Sequence, residues 1–104
     1  MAQEVTLVRI YLSEAEHGRR KTLVREIMDI LHDRHNVKGV TVFRGIAGFG
    51  GTREVHPADL LRILADLPIV IEFFDDPPIV DSVLEGLKDL VPSGRIVTWP
   101  ATRR

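Results

Sequence analysis

Cysteine is absent from this 104-residue chain, which excludes disulfides, thiolate metal sites and cysteine nucleophiles together. An excess of charge of either sign is missing too. The 14 basic and 15 acidic side chains leave a net charge of −1. No global field collects nucleic acid or anionic lipid, so any anion site has to be local. No apolar run approaches the roughly 18–20 residues that span a bilayer. The start, Met1-Ala2-Gln3-Glu4-Val5, lacks the charged-then-apolar order of a secretory leader. The expectation is a cytoplasmic protein with no nucleic-acid partner and no direct membrane insertion. What is present is 44% hydrophobic and 28% charged, the balance of a soluble fold and a length suited to one domain, 1–104. A chain this short buries only about 60–70% of its unfolded surface and gains from association with copies of itself.

Val5 to Leu12 is rich in β-branched and apolar residues and reads as a strand. Ser13 and Glu16 have capping-box spacing. From Arg19 to His35, Leu23, Ile27, Ile30 and Leu31 form one helical stripe, with Arg25, Glu26, Asp29 and Asp33 off it. Asn36 and Gly39 end that helix, and Gly39 to Arg44 reads as a second strand. Pro68 to Phe74 is a third strand. Asp76 before Pro77-Pro78 stands where a capping carboxylate and a helix-starting proline belong. Val80, Val83, Leu84, Leu87 and Val91 mark a second helical stripe, stopped by Pro92, and Gly94 to Trp99 is the last strand. Strand–helix–strand, twice, predicts a ferredoxin-like βαββαβ domain of class α+β: a four-stranded antiparallel sheet with two helices on one face.

The strands do not alternate apolar with polar as a half-solvated sheet does. Strand one offers Val5 and Leu7 on one face and Val8, Ile10 and Leu12 on the other. Strand three offers Ile69, Ile71 and Phe73 against Val70 and Phe74, and strand two offers Val40 and Val42 against Phe43. Two helices cover one face. The other is left apolar unless the long loop folds over it, so a closed oligomer is expected, with Trp99 packed at a subunit contact.

The connection from about 47 to 67 is far longer than the usual 2–6 residues, which marks it as functional or disordered. Within it, Val55 to Asp66 fits either a helical turn after Pro57 or an extension of a strand. It opens with a run holding Gly45, Gly48, Gly50 and Gly51. Such a run is either a flexible turn or a cradle of N–H groups aimed at an anion. It has neither the Gly-Lys-Ser/Thr ending of a phosphate-binding P-loop nor the spacing of a dinucleotide fingerprint. Arg44 precedes it and Arg53 follows it. Pro92-Ser93-Gly94-Arg95 is a tight turn whose arginine is either an exposed rim charge or, if packed beside the glycine run, a phosphate ligand. His56 either packs the loop or touches a ligand. Phe49, between two glycines, is hard to explain as core. His32 and His35 stand at i, i+3 without a third ligand. Asp75 and Asp76 read as helix cap and dipole partners rather than a catalytic pair. No catalytic set and no metal set has recognisable spacing.

Gly39-Val40-Thr41-Val42 followed by Gly48-Phe49-Gly50 resembles the G-x-T-V…G-F-G segment at the base of the T-loop in PII nitrogen-regulatory proteins. Ser93-Gly94-Arg95-Ile96 resembles their D-G-K-I turn. Ile10-Tyr11-Leu12, Arg44-Gly45-Ile46, His56 and Asp66-Leu67-Pro68-Ile69-Val70 complete a pattern similar to the PII-like family catalogued as domain of unknown function 190. The resemblance implies a non-enzymatic, signal-transducing homotrimer that requires no cofactor. An adenine nucleotide (ATP, ADP or AMP) would bind in clefts between subunits, and the loop would report to a partner, a membrane transporter being one. Nucleotide contacts carry over onto Arg44, Gly45, Gly48, Phe49, Gly50, Gly94 and Arg95, with Arg53 and His56 as loop contacts. Gly51-Thr52-Arg53 lacks the glutamine that PII proteins use for magnesium and 2-oxoglutarate. Tyr11 lies in strand one, so the T-loop tyrosine is absent, and C-terminal arginine ligands are not matched. The alternatives are a ligand-free interaction module docking on a transporter or enzyme, and a small enzyme or divalent-metal protein of related trimeric shape.

Overall fold

The structure, a computed structural model, describes residues 2–12, 20–45 and 68–104. The elements are β1 (Gln3–Leu12), α1 (Arg20–Asp29), β2 (Val40–Arg44), β3 (Ile69–Asp75), α2 (Pro77–Leu87) and β4 (Ile96–Arg103). Helix α1 runs on into a wider π-helical turn, Ile30–Arg34. The four strands form one sheet in the order β2-β3-β1-β4. Every neighbouring pair is antiparallel. This is the ferredoxin-like plan that the element order predicts.

The register explains the core. Val8 stands opposite Phe73, Ile10 opposite Ile71 and Leu12 opposite Ile69, so these side chains share one face. Val8, Ile10, Leu12, Ile71 and Phe73 are buried there, packed with Leu23, Ile27 and Leu31 of the first helix and with Val80, Val83, Leu87 and Val91 of the second. Both helical stripes therefore land where their spacing puts them. Asn36 leaves the first helix with φ +51°, a left-handed conformation that asparagine tolerates better than most residues. The Val37 N–H then donates to the Leu31 carbonyl at 2.9 Å.

Two local expectations need correction. Asp76 is the N-cap residue of α2 but makes no side-chain cap. Its Oδ1 instead accepts from Gln3 Nε2 at 2.6 Å, while its own N–H donates to Asp75 Oδ1 at 2.8 Å. Helix initiation is left to the two prolines at its start and to the Asp76 carbonyl, which accepts from the Ile79 and Val80 N–H groups at 3.0 Å each. The last strand also runs to Arg103 and passes through Pro100. A proline is tolerated because β4 is an edge strand, with one side that needs no donor.

Ile10 lies at the middle of this core with no exposure. Ile10→Ala is expected to cost about 2–5 kcal/mol, read as a lowered urea midpoint at fixed protein concentration.

Candidate functional site

Three places on the sheet carry the chemistry that an anionic ligand or a partner can use. The first is the sheet end where β2 finishes. Arg44, exposed, stands opposite Ile69. The Gly45 N–H donates to the Pro68 carbonyl at 2.8 Å. A Cβ on Gly45 would lie 2.6 Å from Pro68 Cγ, so the proline ring leaves no room for a side chain at this position. At the other edge of the same end, the Arg95 N–H donates to the Pro92 carbonyl at 3.3 Å, and the Arg95 carbonyl accepts from the Tyr11 N–H at 2.9 Å. Gly94, with φ +87°, makes that turn.

The structure thus brings Arg44, Gly45, Gly94 and Arg95 to one end of the sheet, on opposite edges. Three strand spacings of ~4.8 Å separate β2 from β4, roughly 14 Å in all. Gly48, Phe49, Gly50, Arg53 and His56, together with the rest of 47–67, lie outside the described residues. So does the Ser13 and Glu16 capping box.

The second place is a cavity of about 330 Å³ at the opposite end of β2, lined by Lys38, Gly39, Val40, Thr41, Phe74 and Arg103 among others. The Arg103 guanidinium lies 5.9 Å from the Phe74 ring centre. Glu72, which pairs with Arg9, lines it too; two cations against that one carboxylate, a hydroxyl and an aromatic face suit it to an anion that carries a planar group. Sequence reasoning used Gly39-Val40-Thr41 as a motif but missed Lys38 and Arg103 as its companions. The signal was the length of β4. Once that strand runs antiparallel to β1 as far as Gln3, Arg103 has to arrive at this end.

The third place is the uncovered face of the sheet. Tyr11 and Phe74 are about 40% exposed, Phe43 and Val97 about 45%, and Trp99 36%. The apolar second face predicted from the strand pattern is present. At its centre Arg9 Nε donates to Glu72 Oε1 at 2.7 Å, and the same guanidinium lies 5.4 Å from the Trp99 ring centre. Hydrogen bonding to Glu72 first, and to Tyr11 second, raises the Arg9 pKa above its ordinary value, so the cation is permanent.

A larger hollow, about 440 Å³, lies between the two helices and is lined by Glu26, Asp29, Asp33 and Asp89 against Arg34 alone. Four carboxylates facing one arginine repel an anion, so this hollow is no phosphate site. His32 pairs with Asp33 at 2.8 Å on the surface. Its i, i+3 partner His35 faces elsewhere, with Nε2 3.4 Å from where a Cβ on Gly86 would stand.

A sheet helix-covered on one side, apolar on the other and flanked by cations at both ends of β2 defines a ferredoxin-like α+β protein with an interface-ready face. The chain matches the DUF190 family, "Uncharacterized ACR", over residues 5–103, and it belongs to that family. A UPF0166 protein of Aquifex aeolicus is 34% identical over 82 residues, covering 79% of this chain and 77% of that one. Among solved structures, CPII of Thiomonas intermedia K12, bound to ADP and bicarbonate, has a TM-score of 0.60 at 23% identity, with 99% of this chain and 89% of that one covered. The divalent ion tolerance protein CutA1 of Ehrlichia chaffeensis has a TM-score of 0.58 at 12% identity, with coverage of 95% and 80%. Both likenesses are of fold.

The two turn glycines can be told apart by stability. Gly94→Ala is expected to cost roughly 1–2 kcal/mol, because alanine strains in a left-handed turn. Gly39→Ala, with nothing within 4 Å of the new methyl, should stay within about 0.5 kcal/mol. Thermal melts of both variants check the contrast.

Proposed function

We propose that this chain is a PII-like regulatory protein, a homotrimer that binds an adenine nucleotide between its subunits, signals through the 47–67 connection and catalyses nothing. The observation that carries this proposal is the uncovered sheet face. Tyr11, Phe43, Phe74, Val97 and Trp99 form an aromatic-rich patch on a molecule whose helices lie on the other side. Covering ~500 Å² of it per subunit, at about 25 cal/mol/Å², contributes on the order of 12 kcal/mol before association costs.

Closure of the ring also solves the separation of the cations. Within one chain the Arg44 end and the Lys38–Arg103 cavity lie at opposite ends of β2 and cannot grip one small molecule. A neighbouring copy can set its Lys38–Arg103 end beside the Arg44 and Arg95 end of the first. Phosphates would then meet arginines and the glycine run, and the planar base would meet the cavity with Thr41 and Phe74. The ADP bound to CPII supports a nucleotide as the ligand for this fold. The groups that the described residues bring to the proposed site, arginines, a lysine and a ring, are suited to binding.

ATP, ADP or AMP is expected to raise the melting temperature. A ligand selective for the native state, at 100 times its dissociation constant, adds about 2.7 kcal/mol. Arg95→Ala removes a charge-assisted contact worth roughly 1.5–3 kcal/mol and should weaken nucleotide binding on the order of 10–150-fold, measured by calorimetry. Unchanged binding by that variant would remove Arg95 from the site. A nucleotide panel without any thermal shift would leave the ligand-free interaction module as the better account.

A further inference from the structure

Arg9 and Glu72 are direct cross-strand partners on β1 and β3, the two inner strands of the sheet. They occupy the centre of the open face. Tyr11 lies next along β1, Val70 and Phe74 flank Glu72 along β3, and Val97 and Trp99 flank the pair on β4. Thr41 stands opposite Glu72 on β2; an ion pair with apolar neighbours on its other sides has the layout of an interface hot spot, in which polar anchors are shielded by neighbours that exclude water.

The pair also has capacity to spare. A guanidinium carries five donors and a carboxylate about four acceptor positions, more than one Arg–Glu contact uses. With Arg9 at 42% and Glu72 at 22% side-chain exposure, water can fill the remainder. Covering the face removes that water, and a buried charge without partners is costly. What covers this face has to supply hydrogen-bonding groups for both ions, and a carboxylate with a cation at its own centre does so for both at once. A partner of one sign would bring a like charge against half of the pair. A second copy of this chain brings both.

We propose that the open sheet faces meet in the oligomer and that the Arg9–Glu72 pair of each copy pairs with that of the next, a charge lock that fixes register and partner choice. This rests on the self-association put forward above and does not depend on the nucleotide. Glu72 also borders the Lys38–Arg103 cavity, so the readout has to be assembly rather than ligand binding.

The test uses complementary reversals, Arg9→Glu and Glu72→Arg, in the full chain. Each variant alone presents two like charges at the centre of its face and should associate at least 100-fold more weakly than wild type, running as a monomer in native mass spectrometry. Arg9→Glu/Glu72→Arg together in one chain puts one charge of each sign back on every face and should recover assembly. Trp99, the one tryptophan of the chain, gives a second readout, since its emission should shift to the red when the face is wetted. Far-UV circular dichroism checks folding, and Glu72→Gln, which keeps the shape and removes the charge, serves if a reversal does not fold. That variant should weaken association at least 10-fold. Single reversals that assemble like wild type, or a folded double reversal that stays monomeric, would overturn the lock while leaving the oligomer and its nucleotide standing. A wild type that is itself monomeric at the same concentrations would overturn both.

Discussion

A four-stranded sheet with both helices on one side has a second side that something must cover, and most of what can be said about this protein depends on that constraint. The helix-covered face is closed by Val8, Ile10, Leu12, Ile71 and Phe73 packed on two helical stripes. The other face keeps rings at Tyr11, Phe43, Phe74 and Trp99 in contact with solvent. These are large side chains that dominate interface energetics where they occur. Self-association is the route that uses the groups already present.

The electrostatics follow from the same geometry. A chain with a net charge of −1 has no field with which to draw in an anion, so the position of individual cations decides where one can sit. The carboxylate-lined hollow between the helices excludes itself. Arg44 and Arg95 stand at one end of the sheet, and Lys38 and Arg103 at the other end of β2. Between them the open face is apolar apart from Thr41 and the Arg9–Glu72 pair, in which Arg9 is already committed to Glu72 and Trp99. An anion that spans both cation groups has to be shared between copies. Phosphate recognition and oligomer formation then become one problem.

The sequence made the element order and both core faces legible because hydrophobic spacing is a local property. Leu23, Ile27 and Leu31, and Val80, Val83 and Leu87, repeat at helical intervals and are buried as that spacing demands. What was not legible was pairing. The true length of β4 is set by its register against β1 as far as Gln3, and nothing local in Pro100-Ala101-Thr102-Arg103 announces a strand. Arg103 was therefore missed as a neighbour of Phe74 and Lys38. Asp76 was misjudged for a related reason: its capping position was right, but its carboxylate is taken by Gln3, a residue 73 positions away. The centring of Arg9 and Glu72 is likewise a product of register, since neither residue stands out in its own strand.

Fold alone cannot choose between a nucleotide sensor and a metal-tolerance protein, because CPII and CutA1 match this chain with TM-scores of 0.60 and 0.58. Function lives in the groups placed on a fold. The choice has to be made on side chains. A divalent cation needs converging carboxylates, imidazoles or thiolates. Cysteine is absent from the chain, and among the described residues no three histidines and carboxylates come together to hold a metal. The groups that do gather at the ends of β2 are Arg44 at one end and, at the other, Lys38, Arg103 and the Phe74 ring with the Glu72 carboxylate beside them. Three cations against one carboxylate repel a metal ion and attract a phosphate, which is the sign that the proposed ligand needs.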